Sequence, residues 1–387
     1  MEYKSTCGKS WACRLSLSAA NRLRLKKVFA IYLAFVVSGC EHTLIEQPSA
    51  STQVAGKVSA VGTSAEDEYF QIAVIPDTQY YTALKHGGTM TMFQDQISWI
   101  RSNKLSSKIA YVVHLGDVVD HGDDNNATEW LRAKTELYKL EQDGIPYGVA
   151  VGNHDQSPLG NPASPGTNDG YGLYFGRDHM DTNPWYGGAY GSSNNSDNHY
   201  DLFSANGVNY IVLYIEYNTP GSEGYSSSIE SAVMNWAEGV LDTYASRKAI
   251  IVSHSILNKP AGSNSNIKAG EGNNSVASAF TNQGEVIYER MKLHPNVFLM
   301  LSGHISGEGF RRDTFNGKVI KSYLSDYQSR ENAPFDGSNR NGGNGLMRLM
   351  KFNKTQQTLS IRTFAPRVGA NILEVDQDSD FTTSLYN

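Results

Sequence analysis

The sequence predicts a layered α/β fold, and three observations carry that expectation. Short apolar runs of strand-like composition alternate with stretches whose apolar residues recur at helical spacing. The first three runs and the two helical stretches between them give the order β-α-β-α-β, which calls for strands joined by crossover helices. Each of five runs closes on a short polar cluster, so chemistry-bearing residues gather at strand ends.

Residues 70–75 form the first expected strand. Phe93, Ile97 and Ile100 then fall at helical spacing, and residues 109–115 make a second strand. Leu131, Leu137 and Leu140 mark a helix over 128–142, with Asn126 placed to cap it, and residues 147–151 are the third strand. Residues 157–198 interrupt the pattern with many Gly, Asn, Ser, Pro and Tyr, and a loop this long in a compact domain is usually functional or disordered. Its aromatics, Tyr171, Tyr174, Phe175, Trp185, Tyr186 and Tyr190, either line a substrate cleft or pack as a surface loop. Strands resume at 200–203 and 209–215, followed by a helix carrying Val233, Trp236, Val240 and Leu241. A strand at 249–252, a Gly/Asn/Ser-rich insert at 261–278, a helix with Val286, Ile287 and Met291, and a strand at 297–301 come next. Residues 319–324, 346–352 and 358–363 read as a closing antiparallel set. There is no internal repeat.

At 387 residues the chain exceeds an average domain, yet a large α/β fold absorbs most of it. The first part reads as a leader. Arg22, Arg24, Lys26 and Lys27 precede an apolar run of ten residues, 28–37, which is short of the ~20 needed to span a bilayer. The run ends in Ser38-Gly39-Cys40, which resembles a bacterial lipobox and implies cleavage before Cys40 with lipidation of its thiol. The expected divisions are a signal peptide at 1–39, a flexible Ser/Thr/Ala/Gln/Gly-rich tether at 40–68, and a folded domain at 69–387. Cys7, Cys13 and Cys40 are the only cysteines, so the mature chain has neither a disulfide framework nor a cysteine-bound zinc.

Charge excludes one class of partner. Residues 1–39 hold seven of the 33 basic groups and one of the 39 acidic ones, leaving 26 against 38 and a mature net charge of −12. Binders of long polyanions present a basic face. Extended nucleic acid is therefore not expected as a substrate.

The five clusters are Asp77-Thr78-Gln79, Gly116-Asp117 with Asp120, Gly152-Asn153-His154-Asp155, His254, and Gly303-His304. Carboxylates, an amide and imidazoles are the ligand types of hard and borderline divalent cations. Any one cluster alone reads as a turn or a structural histidine, but five in series point to a dinuclear hydrolase. In this order they resemble the calcineurin-like metallophosphoesterase family, whose signature is D-x-H, G-D-x-x-D, G-N-H-D/E, a lone His, and G-H-x-H. The resemblance implies a two-sheet α/β sandwich flanked by helices, four layers in all, with metals at the strand ends. It also implies that Asp117 bridges two divalent metal ions and that Asn153, His254 and His304 complete one site while Asp77 belongs to the other. His154 would protonate the leaving oxygen, and Asp120 would orient His154. A metal-activated hydroxide would attack a small phosphorylated substrate in line.

Two positions depart from the signature. Asp77-Thr78-Gln79 has Gln79 where the family has His, and Gly303-His304-Ile305-Ser306 has Ser306 likewise. Both changes fall on the metal bound by Asp77, where Gln79 still offers a carbonyl oxygen and Ser306 a hydroxyl, so Mg²⁺, Mn²⁺ or Ca²⁺ suits that site better than zinc. Three readings follow: a lipid-anchored metallophosphoesterase of the cell envelope (periplasm or cell surface), a metal- or ligand-binding lipoprotein without hydrolysis, or a hydrolase of a non-phosphate bond. Glu308, Arg311, Arg312 and the Asp326-Tyr327-Gln328 run are further candidates for reading the substrate.

Cys40→Ser is expected to move the protein from the membrane fraction to the soluble one. One acyl chain anchors marginally and two hold stably, so fractionation of the wild type as wholly soluble protein would remove the anchor.

Overall fold

Apolar side chains on both faces of most strands demand cover on each side of a sheet. The computed structural model describes residues 60–61, 68–123, 125–162, 170–191, 194–219, 225–259, 278–328, 342–366, 371–374 and 379–386. The leader with Cys40, the expected tether apart from residues 60, 61 and 68, and the insert apart from residue 278 lie outside the described residues.

The elements begin with β1 (Ala60–Val61), β2 (Tyr69–Ile75), α1 (Gln79–Ala83), α2 (Met90–Asn103), β3 (Ile109–His114), α3 (Ala127–Gln142) and β4 (Tyr147–Val149). There follow α4 (Tyr171–Phe175), α5 (Arg177–Met180), β5 (Tyr186–Ala189), β6 (His199–Ala205), β7 (Val208–Ile215), α6 (Ser227–Thr243) and β8 (Lys248–Ser253). The chain continues through α7 (Asn282–Met291), β9 (Val297–Ser302), β10 (Gly307–Phe315) and β11 (Lys318–Asp326). The last strands are β12 (Met347–Asn353), β13 (Thr358–Ala365), β14 (Ile372–Glu374) and β15 (Asp380–Ser384).

Two mixed sheets result. One runs β14-β13-β12-β2-β3-β4 with β15 beside β13, and the other runs β1-β6-β7-β8-β9-β11-β10 with β5 beside β6. Alternation along β2 sends Phe70, Ile72 and Val74 into the layer between the sheets and Ala73 and Ile75 to the opposite face. That opposite face is covered by Phe93, Ile97 and Ile100 of α2 and by Trp130, Ala133, Leu137 and Leu140 of α3. The second sheet is covered by Met234, Ala237, Val240 and Leu241 of α6 and by Ile287, Tyr288 and Met291 of α7. Helices, sheet, sheet, helices: the expected sandwich is present.

Several expectations need correction. Leu131 is 47% exposed, and the buried stripe of α3 runs through Trp130 instead, one position earlier. Asn126 occupies the N-cap position but donates its amide to His121 O at 2.8 Å, so it makes no side-chain cap. Within the expected tether, Ala60 and Val61 pair in parallel with Phe203 and Ser204 of β6. The closing set is divided between the sheets: β11 lies parallel to β9, whereas β12 pairs antiparallel with both β2 and β13. Tyr171, Phe175, Trp185 and Tyr186 of the long loop are buried in the core around Trp130, so these four pack and do not form a cleft wall. No described helix is long and apolar enough to cross a membrane.

Phe70 stacks on Phe352 with ring centroids 4.8 Å apart and also meets Tyr210 at 5.2 Å, joining the sheets at their centre. Phe70→Ala should cost about 3–5 kcal/mol of unfolding free energy in denaturant titration. Leu131→Ala on the exposed face of α3 should stay within about 0.5 kcal/mol of wild type.

Candidate metal centre

Strands β2, β3 and β4 are mutually parallel, and so are β7, β8 and β9, so within each sheet their C-terminal ends share one rim. The five polar clusters are the residues that leave those ends. Across the two sheets they converge. His254 Nε2 lies 3.2 Å from Asp117 Oδ1 and 3.9 Å from Asp77 Oδ2. Donor atoms of Asp117, His254 and His304 all fall within 4.8 Å of one another. Backbone N–H groups fix the two carboxylates: His154 N donates to Asp117 Oδ1 at 2.9 Å, and His304 N to Asp77 Oδ2 at 3.3 Å.

The donor atoms are arranged for a cation. His254 donates its Nδ1–H to Leu115 O at 2.8 Å, which turns Nε2 toward the carboxylates, the usual orientation of a metal-binding imidazole. Asp77 Oδ1, Gln79 Oε1, Asn153 Oδ1 and His254 Nε2 are buried without a hydrogen-bond partner. Buried polar atoms are seldom left so. Four of them on one rim, of oxygen and imidazole type, fit divalent cations.

Electrostatics agree. Burial by itself would lower the His254 imidazole, but Asp117 and Asp77 outweigh it and hold its pKa at about 10. Burial would raise Asp117, yet His254 and the other histidines bring it down to about 2. Burial, and then the facing Asp326, push Asp77 well above the usual carboxylate range. His304 is lowered to about 4 by burial and by His254.

Close backbone approach explains the glycines of the motifs. A Cβ added at Gly152 would collide with Asp117 Oδ1, and one added at Gly303 would collide with Asp77 Oδ1. Asp117 and His304 themselves have φ of 48° and 69°, a left-handed conformation that non-glycine residues adopt at local cost and mostly at functional sites.

His154 donates its Nδ1–H to the main-chain carbonyl of Asp120 at 3.0 Å, while the Asp120 carboxylate lies 3.4 Å away. That carboxylate is paired with Lys85. Nε2 of His154 is thereby left free for the cleft of about 360 Å³ lined by Lys85, Asp120, His121, His154 and Gln156. His121, 57% exposed, lies 3.4 Å from Asp120 and Glu129 and touches the cleft but not the metal ligands.

Residues 70–308 match the family described as calcineurin-like phosphoesterase. The chain belongs to that family. Its two mixed sheets with flanking helices are the family's fold, and the Asp117, His254 and His304 cluster is a possible metal site within it. The chain is 31% identical over 301 residues to a Bacillus subtilis (strain 168) protein described as uncharacterized protein YvnB, over 76% of this chain and 19% of that one. It therefore spans about a fifth of that relative's length. Among solved structures, GAP50, the anchor in the inner membrane complex of Plasmodium, has a TM-score of 0.45 and 12% identity, covering 80% of this chain and 90% of that one. A dimetal phosphatase from Danio rerio has a TM-score of 0.44 and 14% identity, covering 82% and 100%.

The sequence motifs do not include the residues that hold the motif loops from behind. His114 accepts from Gly116 N at 3.2 Å through Nδ1 and donates from Nε2 to Thr78 Oγ1 at 3.0 Å, tying the first two motif loops together. Burial, and then His254, lower its pKa to about 3, so the neutral tautomer persists. Asp155 accepts from Val119 N at 3.0 Å and Gly152 N at 2.8 Å, joining the second loop to the third. A polar residue at the buried end of an apolar strand was the available signal for His114. Of the substrate-reading candidates, Glu308 is buried against Arg348 at 2.6 Å, and Arg311 pairs with Asp313 at 2.7 Å, so neither serves the site.

Because His254 in the metal-free protein titrates near 10, metal uptake at pH 7 must expel its proton. Affinity should then rise about tenfold per pH unit for each proton displaced, and only below that pKa. Adding Mn²⁺ to metal-free protein in weak buffer should acidify the solution by one proton or more per chain; uptake without proton release would remove His254 as a ligand.

Proposed function

We propose that the protein hydrolyses small phosphoesters with two divalent cations. The observation that carries this reading is the convergence of Asp117, His254 and His304 beside a cleft that His154 lines. Asp117 would be shared by the two sites. Asn153, His254 and His304 would hold one cation in a mixed nitrogen and oxygen set suited to Zn, Fe or Mn, and Asp77 and Gln79 would hold the other in an oxygen set suited to Mg or Mn. When bound, the cations supply positive charge for the phosphoryl oxygens and acidify a water to a pKa of about 7.

The protein's own groups do the remaining work. His154, fixed by its Nδ1–H bond to Asp120 O, offers Nε2 to the leaving oxygen as the proton donor. Asp120 presents its carboxylate to the same ring and to Lys85, so the positive charge of a protonated His154 has a counterion in reach. The backbone N–H of His154 holds Asp117 Oδ1, which links proton donor and metal ligand rigidly. The basic, apolar leader ending in Ser38-Gly39-Cys40 supports an extracytoplasmic, lipid-anchored location for this chemistry.

Asp117→Asn should lower metal content and activity together. His154→Ala should keep the metal and lose about 10²–10⁴ in rate toward aryl phosphates, the loss shrinking as the leaving group improves. An equal loss for all leaving groups would contradict proton donation by His154. Full activity of Asp117→Asn with normal metal content would contradict the reading as a whole.

A further inference from the structure

Strand β11 is parallel to β9, with Leu324 beside Ser302, so its end at Asp326 reaches the same rim as Gly303 and His304. Asp326 is 1% exposed and Asp77 is 4% exposed. Among the described residues no lysine or arginine forms an ion pair with either carboxylate. Two carboxylates buried with only the His254 imidazole, 3.9 Å from Asp77 Oδ2, to balance them are costly unless a proton or a metal ion joins them.

Of the residues at the two departures from the family signature, Ser306 bonds Asp326 directly and Gln79 reaches it through Gln328. Ser306 donates from Oγ to Asp326 Oδ2 at 3.3 Å. Gln79 donates from Nε2 to Gln328 Oε1 at 2.6 Å, and Gln328 in turn donates to Asp326 from its backbone N at 2.9 Å and from Nε2 at 3.2 Å. These bonds orient the Asp326 carboxylate and turn Gln79 so that its Oε1, like Asp77 Oδ1, is buried without a partner. Two unpartnered oxygens therefore sit in the same network as an additional carboxylate.

We propose that Asp326 is a ligand of the cation held by Asp77, an anionic oxygen that makes up for the nitrogen ligands absent at Gln79 and Ser306. The proposal rests on the two-cation reading above. It makes the Asp77 site a hard, oxygen-only site of two carboxylates and one amide, together with the shared Asp117, and so one that takes Mn²⁺, Mg²⁺ or Ca²⁺ in preference to Zn²⁺. It also gives Ser306 and Gln328 a role: they fix the carboxylate of the new ligand, as second partners of ligands commonly do.

Calorimetric titration of the metal-free full chain with Mn²⁺ alone and with Zn²⁺ alone tests this without reference to activity. Wild type should take two Mn²⁺ ions. Asp326→Asn should keep the site of Asn153, His254 and His304 unchanged and weaken the other by more than about tenfold. Asp326→His should shift that second site toward Zn²⁺. The metal-free Asp326→Asn protein should melt no lower than wild type, because one of two facing charges is gone, so loss of the ion cannot be ascribed to a damaged fold. Unchanged affinity at both sites in Asp326→Asn overturns the assignment and leaves the phosphoesterase reading intact. A wild type that binds one ion or none overturns both.

Discussion

Negative charge buried at one rim is the constraint around which this molecule is built. Asp77, Asp117, Asp155 and Asp326 are each at most 4% exposed, and none pairs with a lysine or arginine among the described residues. Asp155 is offset by two backbone N–H groups. The other three are offset only in part by neighbouring imidazole and amide groups. Removing carboxylates from water at such density is tolerated where a cation completes the site. The left-handed turns at Asp117 and His304 and the bare Cα positions at Gly152 and Gly303 are what bring the groups that close.

Parallel pairing explains why the site draws on residues as far apart as Asp77 and His304. Each parallel neighbour delivers its C-terminal end to the same edge, and the two sheets face each other across one aromatic layer. In that layer the rings of Phe203, Tyr210 and Phe352 all have their centroids within 6.3 Å of that of Phe70. This packed layer between the sheets sets how far the polar clusters of one sheet stand from those of the other, which fixes the spacing of the candidate metal centre.

The strands that lead into the polar clusters were legible because their apolar runs end abruptly in unlike residues, as at Ile75 before Asp77 or Val149 before Asn153. Strand β10 was not legible. Only its first half, Gly307–Phe310, is buried, and the rest alternates with solvent, so Arg311 and Arg312 read as surface. Pairing was also out of reach: nothing local tells β11 to join β9 while β12 crosses to β2, since that choice is made by the shared layer between sheets. Within the site, ligand types were legible from composition, but the supporting bonds of His114 and Asp155 were not. Those depend on which loops meet in space, and two residues such as Thr78 and His114 give no sign of meeting until the strands between them are paired.

The division of the last strands has a consequence for where this unit can be cut. The family match stops at residue 308, inside β10, yet β11 lies between β9 and β10, and β12 lies between β2 and β13. Interior strands of both sheets thus come from sequence beyond the recognisable family segment. A piece trimmed to the matched residues would leave β2 and β9 with open edges, rows of N–H and C=O groups ready to pair with another molecule. Recombination or excision at that boundary would produce a sticky half-sandwich, so the portion of chain that must be inherited as one block reaches at least through β12.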